Sequence, residues 1–506
     1  MLILVRCETT SMTITGWPQF SITANRSGRG TTDLLRGQDV RGPDAAITRR
    51  ARCDLRFQTT WREPFLMVLL AATIVRLAWI VYVFATRSSA FSSFTLDWSN
   101  EIGQIATNIY GGRGFSSPFR LGAQPTAWEC PVVPYLFAGF LRLAGGNTDN
   151  ASRLIGLSQA WMGGFTAAVY WLIGRHASLR HPGLFPAWFS PALAVVVILW
   201  PESIYSVSNA WYCVWQEAAL AVFVLLAMRW WDRASFGSSV SVGLAGGGAA
   251  LINVSPLPII AFVFLFPMLR RRGRGSILGP TMVAVASFAL VVTPWLVRNG
   301  VVFRTFVPLR SNTGYEIFQG NNELECIRQP GHPRHPGTDK QEFERYLKLG
   351  EIRYCRECVE RSAAYVRQHP WETVRRTGIR VYVCWLTDIT DRWNPEPEHR
   401  WWSGSSLSIA RYLATVLLTA VSVGIVLWAL FGRRFRSLPY APLLAAVILL
   451  LPIAHYFTLA DAEYTVAFRM WVGVIAVELL GCISSRSRET DSGLRRTPAF
   501  SGRDQA

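Results

Sequence analysis

The sequence predicts a polytopic α-helical membrane protein of about 9–11 spans, with interfacial helices and a small α/β insert on the external side. Three observations carry that expectation. Half of the 506 residues are hydrophobic, and they gather into blocks of roughly 20, the length that crosses ~30 Å of hydrocarbon. Arginine collects in short stretches between those blocks, the positive-inside pattern of cytoplasmic loops. Two stretches are too polar to lie in lipid, one after the first block and one beginning near residue 301.

Residues 1–60 hold Gly, Ser, Thr and Arg without a long apolar run, and Met1–Val5 is too short for the apolar region of a signal peptide. They read as a disordered, Arg-rich cytoplasmic tail, or as a start placed ahead of Met12. A transmembrane domain over 61–300 follows, with spans near 64–85, 154–173, 186–200, 211–231 and 277–297. The block 132–143 is shorter and either re-enters the membrane or leaves one basic loop on the wrong side. Asn253, Pro256 and Pro258 interrupt 240–266, which makes it one kinked span or a tight hairpin. The external insert, 301–405, opens with strand-like alternation over 301–308. It continues as a charged helix from Gln341 to about His369, then a second helical stretch from Trp371 toward Leu386. Spans near 409–431, 438–457 and 464–483 make up a C-terminal membrane region, 406–484, ahead of a cytoplasmic tail from 485 to 506.

The external loop 86–131 carries the chemistry. Read as a helix, 97–108 places Asp97, Glu101, Gln104 and Asn108 on one face and Ile102, Ile105, Ala106 and Ile109 on the other. Such a helix lies along a membrane surface with its apolar side in lipid. A third carboxylate, Glu129, ends the Gly, Pro and Trp-rich loop behind it. Acids held at the mouth of a many-span protein point to chemistry on a lipid-linked substrate.

The net charge of +18 does not make this a nucleic-acid protein, because the arginines follow the loops between spans. Cys355 and Cys358 have zinc or redox spacing but lie in a helical pattern with no second pair, and His332 and His335 sit in a Pro and Gly-rich loop. No zinc site is expected. A structural disulfide, with Cys326 as partner, is the better reading among the external cysteines Cys326, Cys355, Cys358 and Cys384.

Three ordered motifs resemble a known family. The first runs from Glu101 through Ile105–Ala106, Gly112, Gly114–Phe115, Pro125–Thr126–Ala127–Trp128 and Pro131 to Pro134–Tyr135. The second is Thr293–Pro294–Trp295, Arg298–Asn299, Phe303, Phe306 to Asn312, Gly314 and Gly320–Asn321–Asn322. The third, looser, is His455–Tyr456 and Thr458 to Tyr464. Together they are similar to the bacterial polyprenyl-phosphate-sugar glycosyltransferases of the C-type membrane fold, relatives of protein O-mannosyltransferases and of the aminoarabinose transferases that act on lipid A.

The resemblance implies a multi-pass inner-membrane enzyme with its active site on the periplasmic face. A sugar would pass from polyprenyl phosphate to a glycan, lipid or protein acceptor, with inversion. It makes Glu101 the catalytic base; Asp97, one turn earlier on the same expected face, is read as the group that tunes it or holds a divalent cation (Mg or Mn). It places Glu129, Glu217, Arg298, Asn299, Arg310 and Tyr464 in substrate binding. Departures are visible. The acid expected near Glu217 aligns as well with Gln216, and Glu463–Tyr464 stands where relatives have Arg-Tyr, with Arg469 further in as a substitute. Interfacial anchoring is the other reading of Arg298 and Arg310, and a bond within the bundle that of Glu217. The competing functions are a transporter or flippase for a lipid-linked sugar, and a non-catalytic relative.

Overall fold

The computed structural model describes residues 62–86, 98–120, 122–270, 277–323, 335–386, 406–431, 438–458 and 469–484. The chain divides into two units, Met1–Thr59 and Thr60–Ala506, and every described residue belongs to the second. Both tails, Asp97, Cys326 and Tyr464 lie outside the described residues.

Helix α1 (Arg62–Thr86) is apolar over 22 residues and lies along α4 (Thr148–Arg180). Two glycines of α4 allow the approach. A Cβ on Gly163 would strike the Arg76 guanidinium, and one on Gly164 would strike Thr73 Oγ1 and come within 2.7 Å of the Leu69 carbonyl. Small residues serve membrane helices this way, because lipid supplies no hydrophobic drive to pull them together. Between these helices come α2 (Glu101–Tyr110) and α3 (Val132–Leu143). The span expected over 186–200 is an 11-residue helix, α5 (Phe189–Leu199). Extended Trp200 ends it, and Pro201 opens the short α6 (Pro201–Ser206) at the one helical position where proline costs nothing.

Helix α7 (Cys213–Asp232) is the buried axis of the bundle. Leu220, Ala221, Phe223 and Val224 meet Tyr170 and Ile173 of α4, Leu193 and Val197 of α5, and Trp471 in one core cluster. The interrupted block resolves into two helices, α8 (Phe236–Ile252) and α9 (Leu257–Arg270). Asn253 closes the first, and its side-chain oxygen accepts from the Ser255 N–H and hydroxyl. Helix α10 (Leu278–Phe303) packs on α8. Three described helices, at Arg62–Val83, Cys213–Asp232 and Leu278–Phe303, are long and apolar enough to cross a membrane, and shorter apolar helices accompany them. The first and third expose Leu66, Met67, Leu70 and Ile74, and Met282, Val285, Leu290 and Val297.

The α/β insert is corrected. Residues 301–303 are the last turn of α10, which stops at Arg304 in left-handed conformation (φ +52°), and 304–312 run on as loop. No strand occurs among the described residues; the one isolated bridge joins Ser116 to Pro125. Three apolar residues in a row, Val301, Val302 and Phe303, fit a helix end as well as a strand, and here the preceding helix claimed them. The insert consists of α11 (Thr313–Gly320), α12 (Lys340–Leu349), α13 (Glu351–Gln368) and α14 (Pro370–Leu386). Asp339 caps α12 by accepting from the Gln341 and Glu342 N–H groups, and Gly350 (φ +75°) makes the left-handed turn into α13. Cys355 and Cys358 are free thiols turned into an aromatic cluster of Phe119, Trp128, Tyr315, Phe318, Tyr346 and Tyr354. No disulfide joins either of them to Cys384. Their spacing of three reflects the inner face of a helix.

Helix α15 (Ser406–Phe431) follows. The block 438–457 breaks at Leu451–Pro452 into α16 (Ala441–Leu450) and α17 (Ile453–Phe457), and 469–484 form α18. The 33 residues of α4, ~50 Å of helix, set the polarity of the bundle. Near its start Ser152 accepts from Trp98, beside the loop that carries Glu101. At its end His176 and Arg180 meet Asp232 and Tyr440.

Candidate functional site

The helix that carries Glu101 begins at that residue and not at Asp97. Asn100 is extended, and its side chain accepts from the Gly103 N–H at 2.7 Å, so Trp98–Asn100 form a capped turn. The helix therefore does not extend back through Trp98, and Asp97 lies outside the described residues. The apolar stripe of α2 also has a different partner from lipid. Ile102 and Ala106 are buried against Val133 and Phe137 of α3 with Ile155 and Tyr212, and Ile105 enters the main core.

The loop after α2 is folded by its own backbone requirements. Gly112 and Gly114 take positive φ, +75° and +72°, which a side chain resists. Buried Asn108 donates to the Ser116 and Ser117 carbonyls. Arg298, near the end of α10, donates to the Thr126 carbonyl at 2.6 Å and the Phe115 carbonyl at 2.9 Å. It thereby clasps both sides of the Ser116–Pro125 bridge, with its guanidinium over the Trp295 ring. Trp295 donates to the Leu309 carbonyl at 2.8 Å. A second clasp comes from the insert. Glu351 accepts from Thr126 Oγ1, the Ala127 N–H, Ser311 Oγ and the Tyr346 hydroxyl, at 2.5–2.9 Å.

These clasps set Glu129 opposite Glu101 across a cavity of about 390 Å³. Arg310 is its central cation. One guanidinium nitrogen donates to Glu129 at 3.1 Å and to Glu316 at 3.2 Å, and Nε donates to the Trp128 carbonyl. Asn312 donates to the same oxygen of Glu316. His335 reaches in from the insert with Nε2 2.8 Å from Glu101 Oε1. The Gly337 N–H donates to its Nδ1 at 2.9 Å, which places the ring proton on Nε2, pointing at the Glu101 carboxylate. Phe119 and Tyr315 meet the imidazole edge-to-face. Trp211, Tyr212 and His455 complete the wall.

Burial dominates the electrostatics. It pushes the Glu129 carboxyl up to about 8, the pull of Arg310 only partly opposing it and the charges of Glu101 and Glu316 adding to it. Glu316 is raised for the same first reason. Burial alone would lower Arg310, but the two carboxylates more than offset it and hold it firmly charged. Burial thus favours the protonated form of Glu129, while Arg310 stays charged. The sign of the stability effect follows. The folded state holds this proton more tightly than the unfolded chain, so the contribution is full below about 4.5 and is lost as pH rises through about 8. The melting temperature of the wild type is expected to fall between pH 6 and 9. Glu129→Gln should flatten that slope, as thermal unfolding in detergent would read directly.

Of the residues singled out in the sequence, the structure brings Glu101, Glu129 and Arg310 to one cavity. Arg298 and Asn299 do not line it; Arg298 is spent on loop carbonyls, and buried Asn299 accepts from Arg298. Glu217 lies inside the bundle, where Ser203 donates to it at 3.3 Å and Arg76 donates to Ser203 at 2.9 Å; Gln216 is buried beside it. Arg469 pairs with Glu202 at 2.6 Å and does not line the cavity. Glu316 and His335 were missed as site residues. Glu316 had a signal, since it lies one helical turn after Asn312 in the junction motif. His335 had none that would place it against a residue 234 positions earlier.

Arg310 lies between Glu129 and Glu316, and no group of three His, Cys, Asp or Glu that could hold a divalent cation occurs among the described residues; Asp97, the acid assigned to such a cation, lies outside them. No step below passes through one.

No family model matches the sequence, and no curated protein matches it. Among solved structures the chain is similar to ArnT from Cupriavidus metallidurans bound to undecaprenyl phosphate. The identity is 13% over 84% of this chain and 81% of that one, with a TM-score of 0.35. A TM-score below 0.5 assigns neither fold nor activity.

Proposed function

We propose that this chain is a membrane glycosyltransferase that takes a sugar from a polyprenyl-phosphate donor and passes it to an acceptor on the external face. The observation that carries the reading is the convergence of Glu101, Glu129 and Arg310. They stand 28 and 181 positions apart in two motifs of the resemblance, and they line one cavity beside membrane-length helices.

In the reaction the Glu101 carboxylate takes the proton from the acceptor hydroxyl or amine. The acceptor atom bonds to the anomeric carbon, and the carbon–oxygen bond to phosphate breaks on the opposite side, inverting the centre. Polyprenyl phosphate leaves with the bonding pair. Arg310 stands where it can offset that charge. His335 orients Glu101 by its Nε2–H bond. Asp97 and Tyr464, outside the described residues, belong to the same proposal as a tuning acid and a donor-phosphate contact. The external placement rests on two supports. The basic stretches at Arg229 and Arg233 flank the end of α7, where Asp232 meets Arg180 of α4, and the cavity lies by the other end of α4.

The test is mass spectrometry of envelope glycans and lipid-linked sugars from cells with and without the gene. One sugar should vanish from one glycan while its polyprenyl-phosphate form accumulates. An unchanged profile of both overturns the proposal.

A further inference from the structure

Helix α14 is inside out. Its outward stripe is Trp371, Val374, Val381 and Tyr382, with Gly378 between and Arg375, paired with Glu372 at 2.7 Å, at its N-terminal end, and Trp371 and Val374 are 83% and 61% exposed. Its buried face carries Arg376 and Arg380, 5% and 1% exposed. Arg376 donates to the Asn322 carbonyl at 2.8 Å, and Arg380 donates to the Gly320 and Thr458 carbonyls at 2.8 and 3.0 Å. These bonds fix the rotation of the helix, for turning the apolar stripe inward would strip carbonyl partners from two buried cations. A water-facing helix has the reverse pattern.

The rest of the helix shows what the stripe meets. Its C-terminal turn belongs to the bundle: Val383 and Cys384 sit in the main core, and their carbonyls accept from Arg469 of α18 at 2.7 Å. Trp385 donates to the Tyr456 hydroxyl. The outward stripe thus belongs to a helix whose last turn is anchored in the membrane bundle. At the other end, exposed Trp371 is flanked by exposed Arg367 and Arg375, an aromatic and basic pairing suited to headgroup depth. From these placements we infer that α14 lies in the bilayer interface, with Trp371, Val374, Val381 and Tyr382 in the acyl region and Arg367 and Arg375 among lipid phosphates. The insert is thereby seated on the membrane by a face of its own, which holds its α11 wall over the cavity.

The test uses the full chain in phosphatidylglycerol nanodiscs, with NBD on a single cysteine introduced by Val374→Cys or Val381→Cys, and a control at Arg353→Cys, exposed on α13. NBD at 374 and 381 should emit blue-shifted by ~10 nm or more from the control, and spin-labelled lipid should quench it at least 2-fold more. Emission matching the control at both positions overturns the inference, as does a blue shift without lipid quenching, which means protein covers the stripe. Should either cysteine variant fail to fold, Trp371→Cys, at the most exposed position, reads the same two quantities.

Discussion

Glu101→Gln is expected to cut sugar transfer by about 10²–10⁴-fold, the range a positioned general base contributes, which corresponds to roughly 3–5.5 kcal/mol of barrier. The substitution is informative because it leaves the geometry intact. The Gln side-chain oxygen still accepts from His335 Nε2, and Asn100 still caps the helix through the Gly103 N–H. Only the capacity to take a proton is lost. Cells relying on the variant should make normal amounts of folded protein with an unchanged melting temperature, yet lose the transferred sugar and accumulate its donor in the same mass spectra. A transporter would go on moving its substrate, and a non-catalytic relative would show no change. Transfer within about 3-fold of wild type would remove Glu101 from the role of base.

What was legible in the sequence follows from how local each signal is. Helices α1, α7 and α10 could be placed because about 20 apolar residues in a row have few other uses. The breaks at Trp200–Pro201, Asn253–Pro256 and Leu451–Pro452 stood at prolines, yet whether a proline bends or ends a helix is decided by packing. The start of α2 was misread because Asp97 and Glu101 repeat at four residues, while Asn100, a preferred cap, lay between them. Arg298 was legible by place, and its bonding partners were not. Spacing puts it at the end of a span, but only the folded loop shows that it donates to the Phe115 and Thr126 carbonyls. His335 and Glu351 were invisible as site builders, since each acts on residues more than 200 positions away. Their partners exist only once the insert folds over the loop.

Glu351→Ala is expected to cost about 3–5 kcal/mol of stability, the scale for removing one member of a buried polar network. Four donors converge on this one side chain, from Thr126, Ala127, Ser311 and Tyr346, and they come from the loop, the junction motif and the insert. Alanine leaves them facing a void in a region where Tyr346 and Glu351 are almost fully buried, and an unmade buried bond costs ~1–3 kcal/mol. The Arg298 clasp and the Ser311 N–H bond to the Ala127 carbonyl remain, so the loop should loosen and not detach. Glu129 is two residues beyond Ala127, and its distance to Arg310 depends on that stretch. Activity should therefore fall along with the melting temperature, and amide exchange over 115–131 should rise well above that in α7. Glu360→Ala, an exposed change on the same helix, should shift stability by no more than ~0.5 kcal/mol. If Glu351→Ala matches that control in melting temperature and exchange, the insert does not hold the loop, and the cavity's acids are positioned by the membrane helices alone.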